Sequence, residues 1–385
     1  MKGSPENKNR ILILDCDHKN ALAIVRHLGK SGRYIPDLVS HSKASLAFFS
    51  KYGKRKFIIS NPRKEPLKYV SQILDILDRE KYLAIIPVSF ISYRLCSENA
   101  GKIRQKTHLT ITSHENILLA NSKNDTGRLA VKLGIPYPET VSLDSIDDIE
   151  KLEITYPCVI KGPFEAGNSI VEYAFSKEEM IHKFRKICHD HDFSGPFPII
   201  QRYIKGAGYG FFAYYCRGEC KSYFMHRRIR EYPSSGGPST CAESYFDEKM
   251  LEYGKKILDH LKWDGVAMIE FKKEESSGTY YLMEINAKFW GSLDLALAAG
   301  VNFPRMLIDE ALGIETVQAQ YKNGLRFQWI LNGDLFHILQ KPGSFPSFFR
   351  DLFAASNDIW FRDPLPNLFQ LIYIPVYYYK KWFRC

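Results

Sequence analysis

The feature that most constrains the fold of this chain is a rhythm near its start, in which short apolar runs alternate with amphipathic stretches. Residues 11–14 have the pattern of a buried strand, and further strands are predicted at 57–60 and 83–88. Between the last two lies a predicted helix whose apolar face is formed by Leu67, Val70, Leu74 and Leu77. This order is typical of strand-helix-strand units, so we predict a Rossmann-like α/β domain over residues 11–115.

The loop after the first predicted strand, residues 15–20, contains no glycine. A dinucleotide-binding fingerprint needs glycines there for its tight turn and for close approach of the pyrophosphate. The tripeptide 29–31, Gly-Lys-Ser, resembles the end of a phosphate-binding loop, but it closes a predicted helix instead of opening one. We therefore expect this domain to bind neither NAD nor FAD.

Antiparallel structure is predicted for the second half of the chain. Strands at 156–161 and 169–174 flank a turn that contains Gly162 and Gly167, and a helix follows at 177–189. Long alternating strands and one further helix come next, at 197–204, 210–216, 220–225, 247–261 (the helix), 265–272 and 280–285. The fold class is therefore α/β followed by α+β with antiparallel sheets.

Composition narrows the class of protein. The chain has 385 residues, of which 45% are hydrophobic and 25% charged, which is typical of a folded globular protein and excludes wholesale disorder or a polytopic membrane protein. The formal net charge of +10 suits a polyanionic partner, meaning phosphate-bearing small molecules, an anionic membrane surface or nucleic acid. Nucleic-acid binding would need a basic face with interleaved aromatic residues, and only the final segment comes near it, so we expect no nucleic-acid partner.

The eight cysteines are scattered along the chain and form no close CxxC pair. We interpret them as buried thiols, with a metal or redox role as the alternative. Residues 1–10 are polar and lack the apolar segment of a secretory signal, and no run of eighteen apolar residues occurs. A reducing cytoplasmic location is the expectation.

Three oxygen-bearing side chains stand at the ends of two neighbouring predicted strands. Glu270 ends one strand, and Glu284 and Asn286 end the next, on the same face because strand residues alternate. Hard oxygen ligands of this kind are what Mg²⁺ takes, while substrate phosphates and water complete its octahedron, and Mn²⁺ is the alternative cation. The competing interpretation is three ordinary polar residues at strand ends.

Lys161 ends another apolar strand and is followed by a loop of small residues, 162–169. A lysine held beside such a loop can act as a fixed positive charge for a polyphosphate, and the loop amides could close over it. The alternative is a surface lysine before an ordinary hairpin.

Taken in order, these features resemble the ATP-grasp superfamily, over about residues 11–312. The most telling stretch is Glu284-Ile285-Asn286-Ala287-Lys288-Phe289-Trp290-Gly291-Ser292-Leu293, which is similar to the second metal-binding strand of that superfamily and the turn after it. Within the superfamily the chain looks most like the carbamoyl-phosphate-synthase-like carboxylate-amine ligases. The resemblance implies a polar tail at 1–10, the N-terminal domain at 11–115, a small lobe at 116–200, a catalytic lobe at 201–312 and an extension at 313–385.

The resemblance also implies roles for individual residues. Lys123, Lys161 and the loop around Gly167 would hold the phosphates of ATP; Gln201, Tyr203 and Ile204 would line the adenine pocket; Glu270, Glu284 and Asn286 would hold Mg²⁺. Many members have arginine where this chain has Lys288, and many carry an acidic residue for the ribose in the segment that is 206–210 here.

The reaction implied is attack of a substrate carboxylate on ATP to give an acyl phosphate, which an amine then attacks, with release of ADP and phosphate. Lysines and metal-binding carboxylates suffice for such phosphoryl transfer. Lys288, Arg228 and Arg230 are the predicted catalytic residues, because alternation places Arg228 and Arg230 on one face of a strand. The alternative for the arginines is a solvated basic strand edge. The alternative for the whole protein is a non-catalytic ATP-binding module that supports surface-polymer assembly.

The final segment, from about Asn357, is rich in aromatic residues and ends in Lys380, Lys381 and Arg384. Tyr and Trp favour the headgroup level of a bilayer, and basic residues add attraction to anionic lipids. We therefore predict a cytoplasmic enzyme with peripheral contact at the inner face of the membrane. The alternative is that the tail packs on the catalytic lobe and completes its core.

Overall fold

The computed structural model describes residues 9–164, 170–191, 193 and 196–372. In this part of the chain the strands form three sheets of four, four and seven strands. The first sheet is parallel in the order β3-β2-β1-β4. Its strands are β1 (Arg10–Ile13), β2 (Ile35–Ser40), β3 (Lys56–Ile58) and β4 (Ala84–Ile86).

Six helices accompany this first sheet and lead out of it. They are α1 (Lys19–Lys30), α2 (Pro66–Arg79), α3 (Phe90–Glu98), α4 (Ala100–Arg104), α5 (His114–Asn121) and α6 (Lys123–Lys132). The helix predicted between two strands is α2, but the predicted apolar face is wrong at Leu67, whose side chain is 87% exposed. Leu77 is buried as predicted, and Val70 and Leu74 are partly buried. The buried stripe also includes Tyr69, Ile73 and Ile76, because the helix turns it toward the sheet.

The sequence pattern missed β2, because it contains a proline and an aspartate. Both residues are buried there, and the carboxylate of Asp37 accepts from Arg10 Nε at 3.0 Å and from the Tyr82 hydroxyl at 2.9 Å. The backbone N–H of Arg55 donates to the same carboxylate at 3.0 Å. Buried charge is tolerated in this strand because neighbouring elements supply an ion-pair partner and further donors.

The second sheet is antiparallel in the order β5-β8-β6-β7. Its strands and its covering helix are β5 (Thr140–Val141), β6 (Cys158–Lys161), β7 (Val171–Ala174), α7 (Lys177–Asp190) and β8 (Ile199–Arg202). Alternate residues of β6, Cys158 and Ile160, pack with Phe184 of α7 in a separate small core.

The third sheet is the largest, in the order β13-β12-β9-β10-β11-β14-β15, and all its pairs are antiparallel except β14 with β15. Its strands are β9 (Gly206–Cys216), β10 (Glu219–Glu231), β11 (Ser239–Ser244), β12 (Gly265–Glu274), β13 (Tyr280–Asn286), β14 (Arg326–Gln328) and β15 (Ser356–Asn357). Helix α8 (Glu248–His260) packs on this sheet, and Gly254 permits the close contact because a Cβ there would lie 2.3 Å from the Phe211 ring.

Four short helices come between β13 and β15 in the chain: α9 (Leu293–Ala298), α10 (Phe303–Ala311), α11 (Leu335–Gln340) and α12 (Phe345–Ala354). Residues 365–372 are also helical and pack, with Asp363, on residues of the first sheet's layer, where Arg26 Nε donates to Asp363 at 2.9 Å and the Phe49 and Phe369 rings stack at 4.3 Å. The described part of the tail therefore packs on the folded chain, and these contacts are made outside the predicted catalytic lobe of 201–312. Residues 373–385, which include Lys380, Lys381 and Arg384, lie outside the described residues.

Candidate active site

A cavity of about 710 Å³ lies where the three sheets meet. Its walls come from the small sheet around Lys161, from the open face of the large sheet around Glu270, and from the loops that follow the strands of the parallel sheet. All the sequence-predicted site residues that the structure describes line this cavity, with the exception of Arg230. Gly167 lies outside the described residues.

The two glutamates and the asparagine come together on the β12–β13 hairpin. Glu270 is the direct cross-strand partner of Glu284, and Asn286 is the partner of Met268, one alternation further along. The Asn286 side-chain amide donates to Glu284 Oε1 at 2.6 Å. The hairpin thus presents two carboxylates and an amide oxygen to the cavity from neighbouring positions.

Four cations surround these carboxylates: Lys123, Lys161, Lys288 and Arg228. Lys288 Nζ donates to the Asn286 side-chain oxygen at 2.6 Å, and Lys161 Nζ donates to Gln201 Oε1 at 2.7 Å. Burial and, to a smaller extent, the nearby Lys123 charge lower the pKa of Lys161 to about 8. Burial also lowers the pKa values of Lys123 and Lys288. These ammonium groups therefore favour a bound anion as counter-charge.

The two carboxylates differ in their ionisation. Burial raises the pKa of Glu270 to about 7, against the opposing effect of the Arg228 guanidinium. Burial also disfavours ionised Glu284, but the charges of Lys123 and Lys288 and the Asn286 hydrogen bond prevail and lower its pKa. A divalent cation between these side chains would favour the ionised form of Glu270, and the donor set of two carboxylates and one amide oxygen fits Mg²⁺.

Glycines on β9 allow Arg228 to reach Glu270. The strand β9 lies between β10, which carries Arg228, and β12, which carries Glu270. Gly208 stands where a Cβ would lie 2.8 Å from Arg228 Cδ, so only glycine leaves room for the side chain to cross the sheet. The guanidinium then forms an ion pair with Glu270 and a weaker one with Glu231 at 3.4 Å. Glu231 also lines the cavity, so an acid is present there although segment 206–210 has none.

The prediction that Arg228 and Arg230 share a face is wrong. The register between β10 and β11 shifts on both sides of Arg230, so strict alternation fails at this point. Arg230 leaves the cavity and is buried in ion pairs with Asp334 at 2.8 Å and Asp351 at 2.6 Å. The alternative of a solvated strand edge is wrong as well, because β11 pairs with this end of β10.

The predicted adenine-pocket residues lie at the junction of the small and large sheets. Gln201 is buried on β8, and Tyr203 and Ile204 follow it along the cavity wall. The Ile204 carbonyl accepts from Lys272 Nζ at 3.0 Å, and the same ammonium lies 4.7 Å from the centre of the Tyr203 ring. Sequence reasoning missed Lys272, although its position two residues after Glu270 places it on the same face of β12.

Sequence reasoning also missed the wall that the parallel sheet provides. Loops after β1, β2, β3 and β4 enter the cavity, with residues such as Lys19, His41, Arg63 and Ser89. Ligands bind outside the carboxyl ends of strands in open parallel sheets, and that rule was the available signal.

The family model described as "ATP-grasp in the biosynthetic pathway with Ter operon" matches residues 216–332. The chain is 24% identical over 273 residues to the carbamoyl phosphate synthase large chain of a Thermoanaerobacter species, an alignment that covers 68% of this chain and 25% of the relative. The chain therefore spans about a quarter of the length of this curated relative. The match includes the β12–β13 hairpin and the Lys288 turn.

Solved structures share the fold. An L-amino acid ligase from Bacillus licheniformis has a TM-score of 0.63 at 14% identity, covering 80% of this chain and 74% of its own. A second similar structure is the biotin carboxylase domain of 2-oxoglutarate carboxylase from Hydrogenobacter thermophilus, solved with MgADP and bicarbonate. Its TM-score is 0.65 at 15% identity, and the match covers 83% of this chain and 73% of that domain's chain. The predicted resemblance to the ATP-grasp superfamily and to carbamoyl phosphate synthase is confirmed, as is a mixed α/β fold with antiparallel sheets.

Proposed function

We propose that this protein is an ATP- and Mg²⁺-dependent ligase that activates a carboxylate as an acyl phosphate for attack by an amine, with release of ADP and phosphate. The observation that carries the proposal is the convergence on one cavity of Glu270, Glu284 and Asn286 with the cations Lys161 and Lys288. Phosphoryl transfer requires carboxylates that bind a metal ion and cationic side chains that neutralise the negative charge of the phosphates.

Individual roles follow from position in the cavity. Lys123 and Lys161 hold the ATP phosphates, and Gln201, Tyr203 and Ile204 hold the adenine. Glu270, Glu284 and Asn286 hold Mg²⁺, which when bound neutralises phosphate charge. Lys288 is fixed beside this set by its hydrogen bond to Asn286 and stabilises charge that develops during transfer. Arg228 supplies a further cation next to Glu270.

The domain organisation is also a proposal. We assign the parallel sheet to a Rossmann-like N-terminal domain of residues 11–115, the second sheet to a small lobe of 116–200 and the third to a catalytic lobe of 201–312, with an extension at 313–385. The strand order β3-β2-β1-β4 and the helices between the strands support the first assignment.

Two measurements test the proposed function. Calorimetry should detect binding of Mg-ATP to the full chain, and a screen of carboxylates with amines should detect release of ADP that depends on both substrates. Mass measurement then identifies the product. Nucleotide binding without ADP release from any pair would favour the non-catalytic ATP-binding module, and absence of nucleotide binding would refute both functions.

Replacement of the two lysines should separate binding from turnover. We expect Lys161→Ala to weaken ATP binding, because it removes a cation that holds the phosphates of bound ATP. We expect Lys288→Ala chiefly to lower kcat, because it removes a cation that stabilises the charge that develops during phosphoryl transfer. Each loss should be about tenfold to a hundredfold, the effect of one charge-assisted hydrogen bond. Titration calorimetry and steady-state kinetics measure the two quantities.

Lys288→Arg is the control for charge at that position and should retain most of kcat. The pH dependence of ATP affinity gives a second check on Lys161, whose pKa of about 8 means that affinity should fall as the pH rises through 8. Lys161→Arg should abolish that fall, because arginine stays protonated. Equal losses of affinity in both alanine variants, with unchanged kcat, would contradict the division of roles.

We also propose peripheral contact with an anionic membrane through the C-terminal extension. Phe353 and Phe361 are 85% and 91% exposed there, and Phe345, Phe349 and Phe353 recur every four residues along α12. Within residues 331–372 all the acidic residues are buried, namely Asp334, Asp351, Asp358 and Asp363. The exposed charges of the same segment are all positive: Lys341, Arg350 and Arg362. Among the described residues, no helix has the length and apolar character needed to cross a bilayer.

Co-sedimentation with vesicles tests this contact. The full chain should pellet with phosphatidylserine-containing vesicles and not with phosphatidylcholine vesicles, because exposed aromatic side chains insert at the interface and basic groups meet anionic lipid. Phe353→Ser combined with Phe361→Ser should reduce binding about tenfold or more, since each exposed side chain contributes roughly 1 kcal/mol or more. Leu67→Ser, which removes an equally exposed side chain from α2, is the matched control. Equal binding by both variants would contradict the proposal.

A further inference from the structure

The wall that the parallel sheet gives to the cavity has no role in the proposed function so far. It is built by the loops that follow β1, β2, β3 and β4, all at the carboxyl ends of their strands. This edge faces the turn that carries Lys288, since the Asn20 side chain donates to the Phe289 carbonyl at 3.1 Å. A substrate placed beside Lys288 therefore contacts this wall.

Lys19, the first residue of α1, is one of two permanent cations in the wall. Its Nζ lies 5.4 Å from the centre of the Trp329 ring and makes no hydrogen bond or close ion pair with any described residue. Gly291 leaves space for it, because a Cβ there would lie 3.2 Å from Lys19 Cε. The carboxylates of Asp294 and Asp358 act on Lys19 only at longer range, and burial lowers its pKa.

Arg63 is the second permanent cation. It stands in the loop after β3, which is held by a hydrogen bond from the Arg63 backbone N–H to the Asn61 side chain at 2.9 Å. The guanidinium is exposed at the cavity and makes no hydrogen bond or ion pair with the described residues. It therefore faces a concave site without a counter-ion among the described residues.

The acidic groups of the same wall are already engaged. The carboxylate of Asp15 accepts from the backbone N–H groups of Val88 and Ser89 and from the Ser92 hydroxyl, at 2.6 to 3.0 Å. Asp17 accepts from the Ser40 hydroxyl at 3.2 Å and lies 3.7 Å from His18. The wall thus presents two cations without direct partners to the cavity, while its two carboxylates accept hydrogen bonds from within the protein.

We infer that Lys19 and Arg63 form an anion-binding subsite, so that the ligase substrate beside Lys288 carries a second anionic group, carboxylate or phosphate, in addition to its reacting group. The inference rests on the proposed function. A partly desolvated ammonium and a guanidinium at a concave surface bind an anion better than either would in bulk water, because low dielectric strengthens the interaction. Substrates with a single charge would leave both cations without a partner.

Calorimetry with matched probes tests the subsite. Glutarate is compared with valerate, glutamate with glutamine, and 3-phosphoglycerate with glycerate, each with Mg²⁺ and a non-hydrolysable ATP analogue bound to the full chain. We expect at least one probe that carries the second anionic group to bind about tenfold or more tightly than its partner, which lacks that group. Lys19→Gln and Arg63→Gln should each remove most of that preference, whereas Lys64→Gln, an exposed neighbour that does not line the cavity, should retain it.

Equal affinities within all three pairs, or a preference that survives in both cavity variants, would overturn the subsite. The carboxylate and phosphate pairs distinguish the two sources of the anion. Binding of the ATP analogue is measured first in every variant. Intact nucleotide binding without a dianion preference overturns only this inference, and loss of nucleotide binding in the native protein overturns the proposed function itself.

Discussion

Glu284→Gln should reduce turnover by about a hundredfold or more while leaving the protein folded. A metal ion contributes several kcal/mol of transition-state stabilisation, and 1.36 kcal/mol corresponds to a factor of ten in rate. Glutamine retains the volume and an oxygen that can accept from Asn286, but it removes the charge that Lys123 and Lys288 now stabilise. ADP release under saturating ATP measures the rate, and chemical denaturation measures the free energy of unfolding.

Glu275→Gln is the matched control, because Glu275 lies on the same hairpin, is exposed and pairs only with Lys205 at the surface. That variant should keep its turnover. Raising the Mg²⁺ concentration should restore part of the activity of Glu284→Gln, since a site with lower affinity for Mg²⁺ becomes occupied at a higher Mg²⁺ concentration. Turnover equal to that of the native protein would remove Glu284 from the proposed metal site.

Arg230→Met should lower the free energy of unfolding by about 3–5 kcal/mol, the cost of removing one partner from a buried ion pair. The carboxylates of Asp334 and Asp351 are almost completely buried, and Arg230 donates to both. Without the guanidinium, Asp334 keeps only hydrogen bonds from Thr240 and Gln328. Urea denaturation of the purified variants gives the difference.

Arg185→Met removes a surface ion pair with Glu150 and should cost less than about 1 kcal/mol. Combining Arg230→Met with Asp334→Leu should recover part of the lost free energy of unfolding, because the Asp334 carboxylate that lost its partner is then removed. This double variant provides the test if Arg230→Met alone does not fold. A stable Arg230→Met protein with greatly reduced turnover would restore the predicted catalytic role of Arg230 and contradict its assignment as a structural residue.

The position of Arg230 also shows where inference from the sequence ended. Alternation is a local rule, and it correctly placed Glu284 and Asn286 on one face of β13. It failed at Arg230 because the pairing of β10 with β11 is irregular there. Asp334 and Asp351 attract the guanidinium, and they lie more than a hundred residues away.

The tail illustrates the same limit from another direction. Its aromatic composition allowed either membrane contact or core packing, and local pattern could not choose. The structure packs Phe369 and Asp363 on residues of the first sheet's layer and leaves Phe361 and Leu365 exposed. Packing therefore holds for part of the segment, and membrane contact through its exposed side chains stays a proposal.

The sequence by itself determined part of the order of strands and helices, the hairpin that carries the acidic set, and the lysines at strand and helix ends. These features depend on periodicity and on neighbours a few residues apart, which a linear sequence displays. Only the tertiary structure decided which cations share the cavity, how Arg228 crosses β9 above Gly208, and that loops of the parallel sheet bring Lys19 and Arg63 to the same site. Those arrangements depend on how the three sheets pack against one another. That packing is determined by the sum of many small interaction energies between residues far apart in the chain, which no local pattern displays.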